Sequence, residues 1–444
     1  MRYRLLNCTA IAWKLSQFVC SVDHDILYAA LQKLVNEENI VQRPVLIQRL
    51  AHEQGINIGR TSLNRYMKLW GLGGSRKAGF TKAQVTSVVV THINQHDPQH
   101  RESPARITLA LGQKGIHVKR YVDIVTQIMR DHFPDGFPAR APSYKAKKGH
   151  PALLTSYGPN DQLSIDGHDK LVDIGFAIYG MRDKFSRKWM SLRAVPSNRS
   201  NTVTRWLFLE LVHSMKGKGN LYSFVTSDHG TEVLDIFSDQ LTLRELVQPQ
   251  LSILMEDLGV LAAPEPHRFL PSTKNITVER GWRPLVDKFH SKFIVSTQNA
   301  ILTGDYTPGN NQHRIIYLYL FAPLVQKELE DYVHLTNCSI IRKQPHTNLP
   351  SGKSPNTIYH CEGTNCLLPL DEVGMNQVRT WMDEIEMSHP RLLSFIEEDE
   401  EQWASQLFEH CAFSDITLGF TVNLSNAWMV FRSMTEHMDE VPYL

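Results

Sequence analysis

The chain has 444 residues, of which 42% are hydrophobic and 21% are charged, and this composition excludes a disordered protein. Its length exceeds what one hydrophobic core usually organises, so we expect two or three domains. Six scattered cysteines do not form the framework of a small disulfide-rich secreted protein. No apolar run is long enough to span a membrane, and we therefore expect an intracellular protein with no membrane partner.

The net charge of +1 conceals a strong separation of charge along the chain. Residues 1–150 contain 22 Lys and Arg against 10 Asp and Glu, whereas residues 371–444 contain 3 against 15. The basic part suits a polyanionic partner, and the acidic part suits a solvated or regulatory segment, or one that docks on a basic surface. Two ordinary solvated faces are the alternative.

Two helix–turn–helix patterns follow each other in the basic part, which we divide at residues 1–78 and 79–134. In residues 43–74, apolar positions at helical spacing stop at the sequence GINIG and resume on a second helix. Residues 103–133 repeat this order, with a Ser-Pro helix start and a turn at Gly115. The second pattern resembles the helix–turn–helix that precedes the catalytic domain of many insertion-sequence transposases.

In a DNA-binding unit of this kind, the second helix enters the major groove. The side chains expected there are Arg60, Asn64, Arg65 and Lys68 in the first unit, and Lys119 and Arg120 in the second. A helical bundle with a purely structural role is the alternative, because any small helical domain has amphipathic helices joined by glycine turns. The charge balance favours DNA binding.

A basic, proline-rich linker is predicted at residues 135–154, because prolines and glycines interrupt all periodicity there. Its cluster of Lys145, Lys147 and Lys148 could lie along phosphates.

Beyond the linker, three β-favouring segments follow in residues 162–195, then a helix at 200–219 and a strand in the sequence YSFVTSD. This order predicts an α/β layer architecture. The first strand carries Asp166 in its middle, and a buried carboxylate requires compensation, for which a bound metal ion is one candidate.

Three motifs, DGHDKL, SDHGTE and NITVERGW, together resemble those of transposon-derived integrase-core proteins, and thereby retroviral integrases and related transposases. The resemblance covers residues 155–355 and ends near GKSPNTIY. It implies a ribonuclease-H-like mixed sheet, preceded by the helix–turn–helix region and followed by an acidic, mainly helical region at 356–444. It also implies an Asp-Asp-Glu triad of Asp166, Asp228 and Glu279.

The activity that the resemblance implies is DNA strand cleavage and strand transfer with two Mg²⁺ or Mn²⁺ ions. Asp166 would bridge both ions, whereas Asp228 and Glu279 would each complete one site. The plain alternative makes the three acids ordinary caps and ion-pair partners. A protein that keeps the fold and DNA binding but has lost catalysis, for example after domestication by a host, is the second functional class.

The helix that begins near Glu279 is rich in basic residues, which suggests phosphate contacts like those of integrases. The DNA contacts expected around this helix are Asn275, Arg280, Arg283, Lys288 and Lys292. We assign Trp282 to packing. The expected partners are double-stranded DNA, as element ends and target, and further copies of the chain, with a nuclear location.

The sequence also departs from the retroviral pattern. Fifty residues separate Asp228 from Glu279, and residues 237–260 look like an inserted helical segment whose leucines cover the core or a second subunit. His360, Cys361 and Cys366 are three potential zinc ligands without an evident fourth, so no structural zinc is expected.

Overall fold

The structure is a computed structural model of the chain. It describes residues 23–72, 80–97, 100, 102–116, 118, 121–136, 155–215, 219–271, 275–344, 347–414 and 421–443. The expected DNA contacts Lys119, Arg120, Lys145, Lys147 and Lys148 lie outside these residues, as does most of the linker. Within the described residues, no helix combines the length and the hydrophobicity that a membrane crossing requires.

The first N-terminal cluster consists of three helices, α1 His24–Gln32, α2 Arg43–Gln54 and α3 Arg60–Leu69. Helix α2 ends at Gly55, whose φ of 68° is a left-handed conformation that glycine adopts without strain. The chain then turns into α3. Leu31, Leu50 and Leu63 are fully buried in the core that these helices share.

The second N-terminal cluster consists of α4 Lys82–His96, α5 Pro104–Gln113 and α6 Tyr121–His132. Ser103 caps α5 by accepting a hydrogen bond from the Arg106 amide. These helices have an apolar core of their own, which contains Val89, Ile107 and Val125. Each cluster thus contains three described helices around an apolar core of its own.

The main sheet has five strands: β1 Gln162–His168, β2 Ala177–Asp183, β3 Trp189–Val195, β5 Phe224–Ser227 and β6 His267–Phe269. Their order across the sheet is β3-β2-β1-β5-β6. The first three strands are antiparallel neighbours, as the predicted meander requires, whereas β5 runs parallel to β1 and β6 runs parallel to β5. A separate two-stranded sheet joins β4 Asn220–Leu221 to β7 Leu368–Pro369.

The segment 237–260, which the sequence suggested to be an insertion, lies between the parallel strands β5 and β6. It forms most of α8 Leu234–Leu246 and α9 Gln248–Asp257, and these helices connect β5 to its parallel neighbour β6. Parallel neighbours always need such a crossover. Strand β6 has only three residues, so its sequence gives little alternation by which to predict it.

The remaining helices follow in chain order: α7 Asn201–Ser214, α10 Ile276–Phe289, α11 Ser296–Thr303, α12 Asn311–Cys338, α13 Pro355–Cys361, α14 Glu372–Ser388, α15 Glu398–Ser414 and α16 Ala427–Glu436. Pro323 lies inside α12 without ending it. Ser200 caps α7 by accepting a hydrogen bond from the Val203 amide.

Helices cover both faces of the sheet because successive strand residues point to opposite sides. Leu163 and Ile165 of β1 pack with α7, α8, α9 and α14 on one face. Ile178 of β2 and Leu192 of β3 pack with α10 and α12 on the other face, where α15 and α16 complete the core. The helices of the acidic C-terminal region are thus part of the folded core rather than an extended tail.

The N-terminal helices contact the core at several points. Gln48 of α2 donates a hydrogen bond to the Cys361 carbonyl oxygen (3.1 Å), and Asn356 of α13 donates one to Glu38 (3.1 Å). An ion pair also joins Glu102, just before α5, to Lys288 of α10 (3.4 Å). The second helical cluster is therefore linked directly to the helix that carries Glu279.

Candidate active site

Asp166 and Asp228 lie toward the same end of two neighbouring strands. The parallel pairing of β1 with β5 aligns Gln162 with Phe224 and Ser164 with Thr226. Asp166 lies two residues beyond Ser164 in β1, and Asp228 directly follows Ser227, the last residue of β5. Both carboxylates therefore lie toward the carboxyl ends of two adjacent parallel strands, where α/β sheets commonly bind ligands.

Glu279 approaches the same edge from α10. It lies in the first turn of this helix, which packs against β1 and β2. Asn275 donates a hydrogen bond to the Ile165 carbonyl oxygen (3.0 Å), next to Asp166 in the chain. The position of Glu279 is therefore fixed by contacts between its own helix and the strand that carries Asp166.

The three carboxylates interact electrostatically. Burial raises the pKa of Asp166 to about 7; the Trp282 hydrogen bond opposes this rise, and the charges of Glu279 and Asp228 add to it. Burial and the charge of Asp228 raise the pKa of Glu279 as well. Like charges held close together in a partly buried place favour a bound cation, which would relieve their repulsion.

The donor set suits a hard divalent cation, because Mg²⁺ prefers carboxylate oxygens and keeps several waters. The packing of the side chains is more open than a complete metal site. Among the described residues, no three His, Cys, Asp or Glu side chains stand close enough together to surround one ion.

Comparison with protein-family models matches residues 154–248 to the integrase core domain. In this region the chain is similar to integrase-core proteins. The match spans β1 to the start of α9 and includes Asp166 and Asp228, whereas Glu279 lies beyond it. A comparison with curated proteins gives no match to the chain. The mixed α/β sheet agrees with the ribonuclease-H-like fold that the three motifs imply.

The expected DNA contacts of the first helical cluster all lie on the surface. Arg60, Asn64, Arg65 and Lys68 are exposed on α3. Asn64 accepts a hydrogen bond from Arg43 (2.8 Å), which orients its amide. The spacing of four residues from Arg60 to Asn64 and on to Lys68 places these three on one face of the helix.

Helix α10 and the segment directly after it offer fewer free basic groups than the sequence suggested. Arg280 and Arg283 are exposed. Lys288 instead pairs with Glu102, and Lys292 pairs with Glu328 (2.6 Å), so both ammonium groups are engaged in partly buried ion pairs. The structure therefore does not support phosphate binding by these two lysines.

Asn275 also differs from the sequence-based interpretation. It is only 2% exposed, and its amide is engaged with the Ile165 carbonyl oxygen. A DNA contact is not available to it in this position. The sequence could not reveal this, because the partner is a backbone group 110 residues away.

Trp282 and His168 form a further part of the site of the integrase core. Trp282 Nε1 donates a hydrogen bond to Asp166 Oδ2 (2.8 Å), and the Trp282 ring stacks on His168 with centroids 4.7 Å apart. Burial lowers the pKa of His168 to about 4, so its ring is neutral near pH 7. Our assignment of Trp282 to packing was therefore incomplete, although its place one helical turn after Glu279 was a usable signal.

Proposed function

We propose that the integrase core cleaves DNA strands and transfers them, with divalent metal ions held by Asp166, Asp228 and Glu279. The observation that carries this proposal is the electrostatic coupling of Asp166, Asp228 and Glu279, with Asp166 in β1 and Asp228 directly after its parallel neighbour β5. Two such ions, when bound, activate the attacking hydroxyl and stabilise the leaving oxygen.

The side chains of the core would act by position and charge. Asp166, Asp228 and Glu279 would hold the ions, and no side chain need become a covalent nucleophile. Arg280 and Arg283 are exposed on the same helix as Glu279, so they are placed to contact phosphates next to the reacting bond.

The N-terminal helices would supply much of the affinity for double-stranded DNA. Exposed Arg60, Arg65 and Lys68 on α3 support this role, as does the surplus of basic residues in 1–150. A DNA substrate in turn supports the expectation of a nuclear location. Because two DNA ends must be joined in one complex, we propose that the chain acts as a homo-oligomer.

A plasmid assay tests the proposed activity without knowledge of the element ends. Purified full-length chain is incubated with supercoiled plasmid and Mn²⁺, and nicked circles are quantified. Nicking should require metal and should disappear in Asp166→Asn, Asp228→Asn and Glu279→Gln. Asp173→Asn is the control, because Asp173 is an exposed acid shortly after β1. Nicking that persists in all three variants would contradict the proposal.

An integrase-fold protein that binds DNA without cutting it is the second candidate. The observation in its favour is the open arrangement of acidic side chains noted above, in which no three of the described His, Cys, Asp or Glu residues surround one point. This candidate predicts that the wild-type chain shifts duplex DNA in gels while Mn²⁺ produces no nicking.

A further inference from the structure

Two side-chain hydrogen bonds connect the start of α10 to β1, one from a residue before Glu279 in the sequence and one from a residue after it. Asn275, four residues before Glu279, donates to the Ile165 carbonyl oxygen (3.0 Å). Trp282, three residues after Glu279, donates through Nε1 to Asp166 Oδ2 (2.8 Å). The second bond is unusual because it ends on a carboxylate of the proposed metal site. Helix α10, which carries Glu279, is thus hydrogen-bonded directly to the Asp166 side chain.

The indole ring of Trp282 is held so that its N–H points at Asp166. The ring is 3% exposed and stacks on His168 at an interplanar angle of 11°. It lies against Gly180, the β2 residue paired with Asp166, where a Cβ atom would come within 2.5 Å of the ring. Trp189 closes the cluster, with its ring centroid 5.1 Å away. A ring fixed from several sides loses little further freedom by making this hydrogen bond.

We infer that Trp282 is a positioning residue of the metal site, which orients the Asp166 carboxylate and sets its placement relative to Glu279. The inference rests on the proposed function. An ionised carboxylate has about four lone-pair sites, so one hydrogen bond at Oδ2 fixes its rotation and leaves acceptor sites for a cation. Outer partners of this kind orient metal-binding side chains, and their removal typically weakens metal binding about 10- to 100-fold.

Trp189 provides a matched control for Trp282. It is another fully buried tryptophan of the same cluster, at 1% exposure, and its Nε1 has no hydrogen-bond partner among the described residues. Replacing either tryptophan with phenylalanine removes a similar volume from the same core. Only Trp282→Phe also removes a hydrogen bond to Asp166, so the comparison separates positioning from packing.

The test is Mn²⁺ binding to the full-length chain without DNA, measured by isothermal titration calorimetry. Trp282→Phe should weaken Mn²⁺ binding about 10- to 100-fold, whereas Trp189→Phe should stay within about twofold of wild type. Both variants should lose comparable thermal stability. Asn275→Ala removes the other link while keeping both indoles, and it should weaken Mn²⁺ binding in the same direction even if Trp282→Phe fails to fold.

Each outcome has a defined meaning. Equal affinity of wild type and Trp282→Phe, or equal losses in Trp282→Phe and Trp189→Phe, would overturn the positioning role. If Trp282→Phe fails to fold, wild-type affinity in Asn275→Ala would overturn it. The Asp166→Asn variant separates failure of the positioning role from failure of the proposed function. It should abolish Mn²⁺ binding. A wild-type chain that binds Mn²⁺ no better than Asp166→Asn would remove the proposed metal site itself, and the positioning role with it.

Discussion

Asp166 lies within β1, and Asp228 directly follows β5, the parallel neighbour of β1. The pairing of these strands brings the two carboxylates near enough for the charge of Asp228 to act on Asp166. Without metal, this placement should cost stability, since the neighbouring charges of Asp228 and Glu279 and the burial of Asp166 all disfavour its ionised form.

Asp166→Asn should therefore stabilise the metal-free chain. We expect its free energy of unfolding at pH 8 to exceed that of wild type by at most about 4 kcal/mol, because the amide carries no charge and the pKa of Asp166 is raised from 3.8 to about 7. Thermal unfolding in EDTA measures this, with Asp173→Asn as control. Adding Mn²⁺ should reverse the order by stabilising only the wild type. Equal free energies of unfolding for wild type and Asp166→Asn in EDTA would show that ionised Asp166 does not destabilise the metal-free chain.

Substitutions on α3 should weaken DNA binding in a salt-dependent way. Arg60→Ala and Lys68→Ala should each lower the affinity for duplex DNA, and each should reduce the slope of log K against log salt by about one for each lost phosphate contact. Fluorescence anisotropy over a range of salt concentrations measures both. Unchanged affinity in both variants would favour a structural role for the first helical cluster.

Lys292→Ala should affect stability rather than DNA binding. Its ammonium group pairs with Glu328, and the two side chains are 5% and 10% exposed. Removing one partner of a buried ion pair typically costs about 3–5 kcal/mol, because the other charge is left buried. Chemical denaturation checks the loss of stability. Replacing both partners, as Lys292→Met with Glu328→Leu, should recover much of it, whereas a loss of DNA affinity without a loss of stability would restore the phosphate-binding prediction.

Buried His92 should make the chain sensitive to acid. It is 6% exposed, and burial, reinforced by nearby His96 and Lys114, lowers its pKa to about 4. A histidine whose folded-state pKa is lowered resists protonation in the native state, so stability falls as pH drops from about 6.5 toward 4. At pH 5 this effect lowers the free energy of unfolding by about 2 kcal/mol.

His92→Leu should remove that part of the acid sensitivity. The difference in free energy of unfolding between pH 7 and pH 5 should be smaller in the variant than in wild type, as measured by urea denaturation at both pH values. A His52→Leu variant serves as control, because His52 is exposed on α2. If the free energy of unfolding depends on pH identically in wild type and His92→Leu, protonation of His92 does not destabilise the folded chain.

Two neighbouring residues of α9 separate core packing from surface contact. Leu254 is partly buried against the core, whereas Ile253 is 61% exposed. Leu254→Glu should lower the free energy of unfolding by about 1–3 kcal/mol, and Ile253→Glu should leave it unchanged. Analytical ultracentrifugation of Ile253→Glu then reports whether this face joins two copies: a shift toward monomer would indicate an interface, and an unchanged mass would exclude one at this residue.

The sequence predicts the strands and acids that local pattern determines, and misses what depends on distant partners. β1, β2 and β3 are predictable because apolar, β-favouring residues are concentrated in them, and the motifs carry Asp166 within β1 and Asp228 directly after β5. Strand β6 is too short to show alternation. Lys288 of α10 and Lys292 just after it were expected to contact DNA, but Glu102 and Glu328, far away in the chain, engage them.

The hydrogen bond from Trp282 to Asp166 is likewise a tertiary contact that local sequence does not reveal. Its two residues are 116 positions apart, and a tryptophan on the apolar side of an amphipathic helix is ordinarily a packing residue. Gly180 gave a local hint, since glycine within a strand often marks the close approach of another group.

Anomalous diffraction from crystals of the chain grown with Mn²⁺ and a DNA duplex tests the central claim most directly. We expect anomalous density for metal bound by Asp166 together with Asp228 and Glu279, with a DNA phosphate next to it. Mn²⁺ bound elsewhere, with these three carboxylates free of metal while DNA is in place, would contradict the assignment of this site to DNA strand cleavage.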